Sequence, residues 1–197
     1  VPMKVVKILI LLTVVIPLVF FGGSRLVAEE QGKEQVYKGD YMGFEVPGEK
    51  AKLFAPGLIS TGLFERDGSF SPDMKEFYYT VVLEGFMAIV TTKQNEKGFW
   101  SKPEVARFSG MYNDLEAQVS PDGKKLFFVS KRPLTGKKEP NPHYNIWVME
   151  RTANGWGEPK HLDAPVNGAF NVFYPSVTLS GTLYFCKKDK SGSEYIY

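Results

Sequence analysis

Three short polar segments hold most of the residues able to do chemistry in this chain. Arg66 and Asp67 form the first, Asn113, Asp114 and Glu116 the second, and Asn171 with Tyr174 the third. Arg132 and His143 lie in an extra stretch between the second and third. A guanidinium among carboxylates, amides and a phenol can hold a ligand or partner through charge-assisted hydrogen bonds. Two of the carboxylates could also act as acid and base on a glycosidic bond, but among 22 acidic residues such pairs arise without function. His143 and His161 are the only two histidines and stand too far apart in the repeat to share a metal. The sequence has no Cys/His cluster, no G-x-S-x-G elbow and no phosphate-cradling glycine loop. The inventory therefore points to binding, with no catalytic group, metal or cofactor assigned.

The elements that must position these groups read as a repeat. Phe70-Ser71-Pro72-Asp73-Met74-Lys75 runs into Phe77-Tyr78-Tyr79, and Val119-Ser120-Pro121-Asp122-Gly123-Lys124 runs into Leu126-Phe127-Phe128. A worn third copy is Val177-Thr178-Leu179-Ser180-Gly181-Thr182 before Leu183-Tyr184-Phe185. Each reads as strand, tight turn, aromatic strand: Pro presets φ, Asp accepts nearby backbone N–H groups, and Gly supplies a positive φ. Met74 replaces that Gly in the first copy, which predicts a strained or differently shaped turn. A third strand follows in each unit (Ala88-Ile89-Val90, Asn145-Ile146-Trp147, Tyr195-Ile196-Tyr197). Then come a polar turn with a Trp and a Pro (Trp100 and Pro103, Trp156 and Pro159) and a fourth strand, as at 160–165. Four short strands per unit are the unit of a propeller blade.

These motifs resemble the TolB-type, WD-repeat-like β-propeller family, whose blades carry a Ser-Pro-Asp-Gly-Lys turn before an aromatic strand. The opening stretches Tyr41-Met42-Gly43 and Lys52-Leu53-Phe54-Ala55-Pro56-Gly57 are similar to the lead-in of exported members. The resemblance spans about residues 41–197. It implies an all-β fold of four-stranded antiparallel blades, here about two full blades and a partial third, with blade ends near 109 and 167. It also implies a binding or scaffolding module. Residues 52–60 read as a closing strand that joins the ends of a ring. The third unit breaks off at Tyr197, so the expected whole is a ring of about six blades.

Composition narrows the setting. Lys4 and Lys7 precede an apolar run from Ile8 to Phe21, short for a membrane span and typical of a signal peptide over residues 1–28. Cleavage after Ala28 or after Ser24 fits, and an uncleaved membrane anchor is the alternative. Without residues 1–28 the chain loses Lys4, Lys7 and Arg25 and no acid, leaving 21 basic and 22 acidic side chains. That near-neutral mixture has no footprint for nucleic acid. Residues 29–50 read as a charged linker. The single Cys186 excludes an internal disulfide and reads as a small core residue. Phe77, Tyr79, Phe127, Trp147 and Tyr184 read as blade packing.

Aligned on the innermost strands, Asp67, Glu116 and Tyr174 occupy equivalent positions near the mouth of a central channel. Arg66, Asn113, Asp114 and Asn171 stand just before them, and the insertion carrying Arg132 and His143 falls on the same face. The expected ligand is an envelope or extracellular protein, a peptide or a glycan, in the periplasm or outside the cell. The competing readings are that these charges only pair with one another, or that the chain belongs to a carbohydrate-active enzyme or a peptidase's accessory propeller.

Overall fold

Apolar and aromatic residues dominate the middle of the second strand of each unit, so successive side chains offer an oily row to both sides of the sheet. The computed structural model describes residues 36–197, and the expected signal, its cleavage positions and the start of the linker lie outside the described residues. Val36–Tyr197 forms one compact unit. It contains three separate antiparallel sheets in chain order. The first is β1 (Phe64–Phe70), β2 (Glu76–Leu83), β3 (Phe86–Lys93) and β4 (Glu104–Val105), paired consecutively. The second is β5 (Asp114–Val119), β6 (Lys125–Ser130) and β7 (Asn145–Thr152), with β8 (Gly155–Trp156) and β9 (Lys160–His161) both pairing with β7. The third is β10 (Val172–Val177), β11 (Leu183–Lys188) and β12 (Glu194–Ile196).

The sheets stack face to face rather than merging. Tyr78 and Ile89 of the first meet Leu126, Phe128, Trp147 and Met149 of the second. Phe127, Val129 and Ile146, on the other face of the second, meet Val172 and Phe185 of the third. The period of two in β6 thus feeds two different cores from one strand, each buried large side chain contributing about 1.5–3 kcal/mol.

The two Ser-Pro-Asp turns close alike. Ser71 Oγ donates to Asp73 Oδ1 at 2.6 Å and Ser120 Oγ to Asp122 Oδ1 at 2.6 Å, while Met74 N and Gly123 N donate to the first residue's carbonyl at 2.9 and 2.8 Å. Met74 keeps the shape by taking φ 59°, beside 70° at Gly123, so the turn is strained but not differently shaped.

Three expectations need correction. Residues 36–44 are not a loose linker: Met42 is buried against Phe77, Tyr79 and Trp100, and Trp100 Nε1 donates to the Gly39 carbonyl at 2.7 Å. Residues 52–60 form no strand. They turn back on themselves, with Leu58, Ile59 and Ser60 N–H groups donating to the Ala55 carbonyl, and bury Ala55, Leu58 and Ile59 on the first sheet. Tyr184 faces away from the second sheet and is 48% exposed, because β11 alternates and its neighbour Phe185 takes the inner position. Phe77, Tyr79, Phe127 and Trp147 are buried, and Cys186 is half-buried. Among the described residues no helix is long and apolar enough to cross a membrane.

Candidate functional site

The first strand of every sheet contains the same irregularity. Pairing slips between Arg66 and Ser69 in β1, between Leu115 and Gln118 in β5, and between Phe173 and Ser176 in β10. Inside each slip one non-glycine residue is left-handed: Asp67 at φ 58°, Glu116 at 57° and Tyr174 at 53°. Each such residue costs on the order of 1–2 kcal/mol relative to ordinary backbone. A bulge with a left-handed residue bends the strand and re-aims its side chain. The three sheets do this at the three positions that the repeat aligns.

The re-aimed side chains converge on Arg66. Its Nε lies 2.7 Å from Asp67 Oδ2, a close contact without good hydrogen-bond alignment, since that oxygen has no aligned donor. Its terminal nitrogen donates to the Tyr174 hydroxyl at 3.2 Å and reaches Glu116 Oε1 at 3.5 Å. Glu116 Oε2 accepts the backbone N–H of Tyr174, and Thr80 Oγ1 accepts the N–H of Glu116 at 3.2 Å. One glutamate in the middle sheet therefore ties the first sheet to the third.

Glu116 is 5% exposed. Burial, reinforced by the charge of Asp67, pushes its carboxyl up to about 7, against the opposing pull of the Tyr174 N–H and the Arg66 guanidinium. Burial lowers Arg66, but the close contact and charge of Asp67 and the contact with Tyr174 more than offset it, leaving the guanidinium above its ordinary value. The Arg66 side chain is 29% exposed and Tyr174 is 53% exposed, so solvent reaches the cluster from the third-sheet side.

The other anticipated residues hold the frame. Asp114, fully buried, pairs with Arg132 at 3.0 Å and accepts the Ser130 hydroxyl. Burial pushes its carboxyl up despite both partners. Arg132 also donates to the Phe108 carbonyl at 2.8 Å and lies over the rings of Phe128 and Trp147, which pins the link between the first two sheets. Asn113 Oδ1 accepts the N–H of Met87 and Asn171 Oδ1 that of Tyr144, both at 2.8 Å. They are equivalent clips from each link onto the start of the preceding sheet's third strand, Met87 inside β3 and Tyr144 directly before β7. Ser109 and Asn167 accept the N–H groups of Ile89 and Ile146, two residues further along. His143 is half-buried, and its backbone N–H donates to Asn141.

Thr80 and Glu65 escaped the sequence reading. Thr80 is fully buried behind Glu116, and Glu65 accepts the N–H and hydroxyl of Thr61 at 2.9 and 2.5 Å. Thr80 aligns with the apolar Val129, so the repeat hides it, whereas Glu65 aligns with Asp114 and the 49-residue spacing could have marked it. A second charged network at the opposite strand ends also went unread: Arg151 forks onto Glu76 at 3.1 and 2.6 Å, and Lys93 adds a contact at 3.1 Å. Its repeat equivalent carries Lys125 in place of Glu76, so the repeat hides it.

No family model matches the chain, and no curated protein matches it. Among solved structures the chain is similar to the crystal structure of TolB from Acinetobacter baumannii, with 22% identity and a TM-score of 0.36. The alignment covers 68% of this chain and 32% of that one, so the chain spans about a third of its length.

Proposed function

We propose that this chain is part of an exported β-propeller acting as a non-enzymatic binding or scaffolding module. Its three sheets are consecutive blades, and Arg66, Asp67, Glu116 and Tyr174 sit where their inner strands approach the axis. The observation that carries this reading is the repetition of a left-handed residue in an inner-strand bulge in all three sheets. Backbone strain kept at one place in three copies marks a position whose geometry serves something other than packing. The partner is an envelope or extracellular protein, a peptide or a glycan. It meets a surface with one partly exposed guanidinium, the half-buried Asp67 carboxylate and an exposed phenol ring, with the Glu116 carboxyl buried just beneath. The setting is the periplasm or the cell exterior, and the membrane is involved only if the signal stays as an anchor.

Peptide and glycan arrays probed with the chain test this reading. The double variant Asp67→Asn/Glu116→Gln should weaken retained ligands by about tenfold or more, the scale of losing one charged hydrogen bond. A folded double variant that keeps every ligand overturns it. One observation favours the enzymatic alternative, a carbohydrate-active propeller: the buried Glu116 carboxyl is raised to about 7 and stands in one cluster with Asp67, and a raised carboxyl is what a general acid needs. Release of reducing ends from a polysaccharide, lost in Glu116→Gln, would replace the binding reading with this one.

A further inference from the structure

A cleft of about 680 Å³ opens between the first two sheets, away from the Arg66 cluster. Its floor and walls come from Tyr78 and Thr91 of the first sheet, the link Ala106–Tyr112, and the stretch Asn154–Pro159 of the second. That volume is in the range of sites that enclose a small organic ligand, roughly 300–1,000 Å³. Thr91 lines it and is 4% exposed, yet its Oγ1 has no hydrogen-bond partner among the described residues. A buried hydroxyl without a partner costs about 1–3 kcal/mol; Oγ1 itself is sealed from solvent, so a ligand hydroxyl recovers that cost only when the Thr91 side chain turns toward the cleft.

The rim adds more groups without partners. Glu104, Arg107 and Asn154 make no side-chain hydrogen bond or ion pair among the described residues, and all line the cleft. Each has a planar polar end able to make two parallel hydrogen bonds. Tyr112, half-buried, has no ring partner among the described residues, so it can present its face. Trp156 cannot do so on one side, because Arg151 lies 3.7 Å over its ring and its Nε1 donates to Tyr78 Oη at 2.8 Å.

We propose that this cleft binds a short neutral saccharide. Paired ring hydroxyls match the planar polar rim, a pyranose face matches Tyr112, and a further hydroxyl reaches Thr91. An extended peptide fits less well. The strands bordering the cleft, β4 and β8, are two residues long, with Pro103 directly before β4 and Pro159 three residues beyond β8, so there is too little edge for a peptide to join as a strand.

Titrations of the chain with cellobiose, maltotriose and N,N′-diacetylchitobiose, followed by tryptophan fluorescence and by saturation-transfer NMR, test the proposal. At least one should bind saturably at millimolar concentration or below. Thr91→Val, which keeps branching and volume, and Tyr112→Ala at the rim should each weaken it by about threefold to tenfold. The Asp67→Asn/Glu116→Gln variant should leave it unchanged, which separates this cleft from the Arg66 cluster. Failure of all three sugars to bind overturns the proposal, as does binding indifferent to both cleft variants. So does saturable binding of an alternating Thr-Val octapeptide in their place, which would make the cleft an edge for strand addition.

Discussion

Two buried glutamates, at opposite ends of the same stack of sheets, differ in how completely they are satisfied. Glu76 receives both arms of Arg151, the ammonium of Lys93 and the hydroxyl of Tyr78 at 3.1 Å. Burial alone would raise its carboxyl, but Arg151 and Lys93 hold it below the ordinary carboxylate value. Glu116 has one backbone N–H and one long contact to Arg66, shares its surroundings with Asp67, and is pushed up to about 7. A saturated carboxylate is framework, because every lone pair already has work within the fold. An undersupplied one at a strained backbone position retains capacity for an outside donor.

The largest expected effect comes from breaking the saturated end. Arg151→Ala removes the fork on Glu76 and the guanidinium over Trp156, and should lower unfolding free energy by about 2–3 kcal/mol in urea titration. A loss under about 1 kcal/mol would mean that Glu76 is no better served than Glu116, and the contrast would fail.

The undersupplied end predicts a pH signature. Glu116 is an acid whose folded value is raised, so between its ordinary 4.5 and about 7 the folded chain holds a proton that the unfolded chain has released. Stability from this group is therefore full below 4.5, falls as pH rises through that window, and levels off above about 7. At about 1.4 kcal/mol per pH unit across that window the fall should be at most about 3 kcal/mol, and it should vanish in Glu116→Gln. Equal slopes in the two proteins would show that the carboxyl titrates normally.

The smallest effect lies in the turn that leads into Glu76. Met74→Gly relieves the left-handed backbone and should raise stability by about 0.5–1 kcal/mol, while Gly123→Ala in the twin turn should lower it by about the same amount. Opposite signs at equivalent positions would confirm that both turns demand the same conformation. Like signs would show that the turn shape is not what the side chain opposes.

Much of the frame was legible beforehand because turns and alternation are local. Ser-Pro-Asp-Gly announces a tight reversal wherever it stands, and the aromatic runs after it must pair as strands. The equivalence of Asp67, Glu116 and Tyr174 was likewise readable, since counting from each turn reaches the same residue of a strand. Residues 52–60 misled because Leu53, Phe54, Leu58 and Ile59 look like a strand by hydrophobicity, whereas Phe54, Leu58 and Ile59 pack as a folded-back loop and Leu53 stays exposed. Met42 misled for a different reason: it stands in a short stretch with no strand or helix periodicity, and only the packed first sheet gives it a pocket.

The amino-acid order by itself determined three things: the all-β class, the order of strands within each unit, and the alignment of one unit on the next. These rest on interactions between residues a few positions apart. Only the tertiary structure decided which charges meet. Arg66 finds Tyr174 across 108 positions, while Arg132 and Asp114, expected at the same mouth, close on each other. The reason is that an ion pair depends on distances of a few ångströms between side chains of separate sheets. Those distances follow from how the sheets stack and where their inner strands bulge, which no spacing along the chain records.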